Sequence, residues 1–173
     1  MDEEPLLRAM PRRPLYGLSG FITRIDLAVL DAIVSDGWCA TRQAIRADID
    51  CKEVRLACAV VAGSGAAARV LLLAADRFAA SGDVDPEVEG LAGLRDAAKR
   101  LVAEASGGIS RGVELAGYLN EESHPDLRHS LMLVYRARVP DGTAAPAGME
   151  WCARASLPRS LEPLSARLQD LIA

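Results

Sequence analysis

The amino-acid sequence predicts an α/β (α+β) fold in which a mixed β-sheet lies between helices. Two nearly continuous apolar runs, residues 55–62 (RLACAVVA) and 69–75 (RVLLLAA), flank the small-residue turn GSGAAA. Such runs read as strands covered on both faces. Residues 91–107 (LAGLRDAAKRLVAEASG) then place Leu91, Leu94, Ala98, Leu101, Val102 and Ala105 at three- and four-residue spacing, one stripe of an amphipathic helix. Beyond it, residues 113–119 and 131–139 read as two further strands joined by a polar loop over 120–128.

The remaining elements follow in chain order. Residues 1–20 hold Pro5, Pro11 and Pro14 with little periodicity, and read as an extended arm, packed or frayed. Residues 25–34 predict a short helix with Leu27, Leu30 and Ile33 at helical spacing and a stop at Asp36-Gly37. Residues 38–50 read as irregular, and 81–90 (SGDVDPEVEG) as an acidic turn into the central helix. Gly107 and Gly108 suit a left-handed stop after that helix. A short strand over 149–152 and an amphipathic helix near 161–172 close the chain, the latter with Leu161, Leu164, Leu168 and Leu171 inward. We divide the sequence into an N-terminal arm and short helix (1–37) and a second region (38–173), one globular domain in all.

Composition narrows the function classes. A chain of 173 residues is long enough to bury a core, and 50% hydrophobic residues fit a folded rather than disordered chain. The net charge of −4 argues against a general nucleic-acid binder. Lysine occurs only at Lys52 and Lys99, a usage expected of a GC-rich bacterial genome. The N-terminus has no signal-like apolar core, and no apolar run approaches the ~20 residues that span a bilayer. Cys39, Cys51, Cys58 and Cys152 form no C-x-x-C pair; buried free thiols and a reducing, cytoplasmic location are the expectation, with no zinc site and no membrane partner.

One element order stands out: a strand pair, an acidic turn and a single helix ending in A-A-K-R-L-V-A-E-A-S-G. It resembles the Nudix family. In that family's motif a glycine and a glutamate precede an arginine, a glutamate, a large aliphatic, paired glutamates and a glycine. Arg100 takes the arginine place, Val102 the aliphatic, Glu104 the first of the paired glutamates and Gly107 the glycine. Leu101 and Ala105 stand where the other helical glutamates belong, Ala92 replaces the upstream glutamate and Pro86 the opening glycine. Gly108 occupies the last aliphatic place, with Ile109 one later. Residues 117–139, the segment Met149-Glu150-Trp151 followed by Leu157-Pro158, and residues 42–48 (RQAIRAD) resemble further family segments, so the likeness spans roughly 38–172.

The resemblance implies Mg²⁺ or Mn²⁺ held by helical glutamates, and hydrolysis of a diphosphate. Hard divalent ions need several oxygen ligands, and Glu104 alone remains on the helix. Conventional hydrolysis is therefore not expected, and the cofactor site is weak or absent. The leading expectation is a Nudix-fold protein with an eroded box that binds a nucleotide, a nucleoside-diphosphate derivative or a protein partner. The alternatives are a hydrolase using Glu104 with replacement metal ligands Glu89 and Asp96, or an isomerase or lyase with His129 as acid–base. Asp96 and Glu104 are about 12 Å apart along a helix axis, so a shared ion needs the loop acids Asp83, Asp85, Glu87 and Glu89 as well. Arg100 either organises the site or pairs with Glu104 four residues on. Arg136 and Arg138 either bind phosphate or solvate a sheet face, and Glu150 is a further ligand-binding candidate. Trp151 is either core or a stacking platform, and His124 is expected in solvent. Family resemblance also implies a possible homodimer.

Overall fold

The computed structural model describes residues 4–77, 79–107 and 112–169. Nine strands and four α-helices follow one another along these residues. The strands are β1 (Leu6–Pro11), β2 (Gly20–Ile22), β3 (Trp38–Thr41), β4 (Cys51–Ala62), β5 (Arg69–Leu73), β6 (Ala79–Asp83), β7 (Gly112–Asn120), β8 (Ser130–Val139) and β9 (Met149–Ala153). The helices are α1 (Leu27–Val34), α2 (Arg42–Ala47), α3 (Gly90–Ser106) and α4 (Pro163–Arg167). They form one mixed sheet with helices, in the order β2-β7-β8-β4-β1-β3, with β5 and β6 also on β4, and β9 on β5. The long strand β4 is therefore its organising element.

The chain makes two compact units. One comprises the residues up to Leu56 with Gly82–Ala97 and Gly117–Leu133; the other comprises Ala57–Ser81, Ala98–Ala116 and the residues from Val134 on. In the first, β1 runs antiparallel to β3 (Leu7 opposite Ala40) and to β4 (Ala9 opposite Glu53). Leu7, Ala9, Ile45 and Cys51 form a buried cluster there, with Ala40 against it. The Asp26 carboxylate accepts from the Ala28 N–H at 2.8 Å and starts α1, which buries Val29, Leu30, Ala32 and Ile33. Gly117 of β7 faces β2 closely, and a Cβ there would collide with the Ile22 carbonyl. In the second unit, β4 pairs with β5 (Val61 opposite Val70) and β5 with β9 (Leu71 opposite Trp151).

Several sequence expectations need correcting. Residues 6–11 are extended and packed rather than frayed, and they form a strand of the sheet: Leu7, Ala9 and Met10 are buried and β1 pairs with two neighbours. Residues 38–50 are not irregular, because β3 pairs with β1 and Thr41 caps α2. The acidic turn begins later, since residues up to Asp83 belong to β6. The last helix is one short piece, Pro163–Arg167, with Glu162 accepting from the Leu164 and Ser165 N–H groups. Its expected continuation over 170–172, including Leu171, lies outside the described residues, as do Gly108 and Ile109. The central helix matches its expectation, with Leu94, Ala98, Val102 and Ala105 buried, but Leu91 is exposed. It ends at Gly107 with φ 70°, the left-handed stop.

Candidate functional site

The densest polar constellation lies in the first unit, where the head of β4 alternates charged and apolar residues. Period two puts Glu53 and Arg55 on one face and Lys52 and Val54 on the other. Glu53 is 2% exposed, and a carboxylate so buried needs charged partners. Arg42, the first residue of α2, supplies one: Nη2 lies 2.9 Å from Glu53 Oε1 and Nε donates to Glu53 Oε2 at 3.2 Å. The same Nη2 is 2.8 Å from Asp83 Oδ2 at the end of β6. Arg55 Nε donates to Asp83 Oδ1 at 3.1 Å and lies 3.6 Å from Glu53 Oε1. Two guanidiniums and two carboxylates thus form a closed quartet with no net charge. The forked bond to Glu53, with the nearby Asp83, holds the Arg42 pKa above its ordinary value despite burial.

On the other face Lys52 is fully buried. Its ammonium donates to Asn120 Oδ1 at 2.6 Å and pairs with Glu122 at 2.8 Å, while burial pulls its pKa down. Arg12 reaches the same Glu122 at 3.6 Å and donates to the Arg128 carbonyl at 3.3 Å. His129 is half-buried and its Nε2 accepts from Arg128 Nε at 2.9 Å. Burial first, then the positive charges of Arg128, Arg46, Arg12 and Lys52, lower its pKa, so the imidazole is neutral at pH 7. A base role requires Arg128 to release that nitrogen. His124 is half-exposed and its Nδ1 accepts from the Asp126 N–H at 3.2 Å, a turn contact rather than a solvated side chain.

The other expected site residues are dispersed. Arg100 and Glu104 are both exposed on α3, and among the described residues neither makes an ion pair or hydrogen bond, so the i,i+4 pair does not form. Glu89 and Asp96 are exposed, and among the described residues no group of three His, Cys, Asp or Glu could hold a metal ion. In the quartet each acid is already neutralised by arginine. The quartet therefore offers Mg²⁺ or Mn²⁺, which gather several oxygen ligands, no carboxylate free of an arginine partner, and fits such an ion poorly.

Arg136 and Arg138 line one cavity of about 410 Å³ in the second unit, beside Ser64, Glu114, Val139 and Asp141. Arg136 is bound to Glu114 through Nη2 at 2.6 Å and Nε at 3.0 Å, while Arg138 is exposed and, among the described residues, unpaired. Glu150 is exposed on β9. Trp151 is half-buried with the Arg69 guanidinium 5.7 Å over its ring, which occupies that face for stacking.

Comparison with solved structures now identifies the architecture. Tm1382, described as a candidate Nudix hydrolase, matches with a TM-score of 0.78 at 17% identity, covering 96% of this chain and 97% of its own. The chain has the Nudix fold. The Nudix domain of Shewanella oneidensis NrtR, solved with ADP ribose, matches at a TM-score of 0.50 and 15% identity, over 76% of this chain and 97% of that domain. NrtR with a 27mer DNA matches at a TM-score of 0.51 and 14% identity, over 67% of this chain and 59% of NrtR. The sequence matches no family model and no curated protein.

Sequence reading missed Lys52 and Glu53 because it began the strand at Arg55. The signal was present in the run Lys52-Glu53-Val54-Arg55, which alternates charge at the entry to an apolar strand.

Proposed function

We propose that this Nudix-fold chain binds a nucleoside-diphosphate derivative or related phosphorylated metabolite without conventional metal-dependent hydrolysis. The observation that carries the reading is the neutral quartet: Arg42 and Arg55 consume the carboxylates of Glu53 and Asp83 that a metal would need. On α3 the sequence places Ala92, Leu101 and Ala105 where the family motif has glutamates, leaving Glu104.

Binding follows from the uneven burial of the two acids. Glu53 is sealed in, whereas the Asp83 side chain is 34% exposed. A diphosphate oxygen accepts from Arg42 and Arg55 in place of Asp83, while Glu53 keeps the Arg42 fork in register. Guanidinium–phosphate bonds of this kind are charge-assisted and bidentate. ADP ribose is the first probe, since a Nudix domain of similar fold was solved with it.

The test is isothermal titration of ADP ribose and nucleoside-diphosphate sugars in EDTA, beside Arg42→Gln checked for folding by circular dichroism. Binding in EDTA, weakened at least about tenfold in Arg42→Gln, is expected. Binding that needs Mg²⁺ or is indifferent to Arg42 contradicts the proposal, and failure of every phosphorylated probe moves the reading to a protein partner.

A further inference from the structure

Helix α1 is apolar on every side: seven of its eight residues, LAVLDAIV, are hydrophobic. A helix of that composition is ordinarily enclosed all round. Here Val29, Leu30, Ala32 and Ile33 are buried, but the opposite face, with Leu27, Ala28 and Val34, meets solvent. Leu27 is 76% exposed, and Leu91, at the start of α3, is 49% exposed. Leu27, Ala28, Leu30, Asp31, Val34 and Leu91 line one groove of about 430 Å³ in the first unit, with none of the quartet residues in it.

Charge decides what covers this groove. Its one polar side chain is Asp31, whose Oδ1 accepts from Ser35 Oγ at 3.2 Å and which, among the described residues, has no cationic partner. Asp26 and Asp36 flank α1, and Asp85, Glu87 and Glu89 lead into Leu91; all are exposed. Residues 25–41 and 84–94 contain no lysine or arginine, Arg24 and Arg95 lying just outside them. A groove with an apolar floor and acids of one sign around it selects a partner of the opposite sign. A second copy of this chain fits poorly. Pairing α1 with itself about a two-fold axis would bring Asp31, near the middle of the exposed face, close to its own copy in a drying interface.

We propose that this groove docks a basic amphipathic helix of a partner protein, its apolar side chains set against Leu27, Val34 and Leu91 and a lysine or arginine on Asp31. Leu27, Leu30 and Val34 stand at i, i+3 and i+7 and span about 10 Å of helix axis. An apolar stripe of the same spacing on a second helix is the usual complement of such a groove. Affinity comes from burying the leucines, and partner choice from the acids around them.

The experiment titrates the full chain, at about 0.15 M salt, with a synthetic helical peptide of leucine and lysine that carries its leucines at i, i+3, i+4 and i+7. A scrambled peptide of the same composition and one with glutamate for lysine are the controls, and binding is read by fluorescence anisotropy. Wild type binds the basic amphipathic peptide, the scrambled peptide more weakly and the acidic one not at all. Leu27→Ser with Leu91→Ser, both at exposed positions and checked for folding by circular dichroism, weakens binding at least about tenfold. Asp31→Asn, which keeps the shape of the side chain, weakens it about threefold. Failure of the basic peptide to bind wild type overturns the assignment, as do equal binding of the basic and acidic peptides or affinity unaltered in both variants. Sedimentation equilibrium of the chain alone is the remaining check: a dimer that Leu27→Ser with Leu91→Ser dissociates would give the groove to a second copy and overturn the proposal.

Discussion

Two arginine-bearing regions of this chain put the same side-chain types to opposite use. In the quartet of Arg42, Glu53, Arg55 and Asp83, one acid is almost wholly buried and each charge has an opposite neighbour. In the cavity of the second unit, Arg136 leans on Glu114, whose side chain is 58% exposed, and Arg138 stands unpaired among the described residues. Burial makes the difference. A carboxylate out of water must keep its partners, whereas an exposed pair is screened and exchanges with solvent. Removing a partner from the quartet therefore costs stability, whereas removing one from the surface pair costs little.

The largest effect that would break this contrast is expected at Glu53. Glu53→Ala strips both guanidiniums of their buried partner and should cost about 3 kcal/mol in urea unfolding, the scale of a broken buried pair. Asp83→Asn keeps the shape and a hydrogen-bond acceptor at a partly exposed site, so a loss of about 1 kcal/mol is expected from the same measurement. Glu114→Gln and Arg138→Gln should each stay within about 0.5 kcal/mol of wild type. If Glu114→Gln proves as costly as Glu53→Ala, the contrast is wrong.

pH supplies a finer probe of the first unit. The His129 pKa is lowered in the folded chain by burial and then by Arg128, Arg46, Arg12 and Lys52, so the unfolded chain binds the proton more readily. Its contribution to stability is full above the ordinary histidine value near 6.5 and is lost as pH falls through that value towards the folded one. His129→Gln, which still offers Arg128 an acceptor, should flatten that part of the stability curve. The smallest readout is thiol accessibility. Burial pushes the Cys51 thiol up to about 11 and Cys58 up to about 12. A thiol reagent should modify half-exposed Cys39 and Cys152 first, and reach Cys51 and Cys58 only on unfolding.

Legibility in the sequence followed the locality of the forces. Helix α3 and strands β4, β5, β7 and β8 carry their own apolar patterns, and the sequence reading located each of them. Strand β1 was hidden because Pro5 and Pro11 bracket it and its evidence is pairing with β3 and β4, more than 25 residues away. Strand β6 begins Ala-Ala-Ser-Gly, residues of weak strand preference, and exists through its partner β4. The quartet was half legible. Arg42 lay in a segment resembling a family element and Asp83 among the loop acids, but nothing in the order of residues says that the two meet. Glu53 gives the least warning, since a charged residue at a strand end is usually solvated and here tertiary packing buries it.

The central claim, a Nudix fold without its metal-dependent turnover, is tested most directly by one hydrolysis panel. Nucleoside-diphosphate sugars, dinucleoside polyphosphates, nucleoside triphosphates and dinucleotides are incubated with Mg²⁺, Mn²⁺ or EDTA, beside Glu104→Gln, with products read by mass spectrometry. No metal-dependent cleavage by either protein is the predicted result. Cleavage that requires the metal and disappears in Glu104→Gln would contradict the account, because a single helical carboxylate would then suffice.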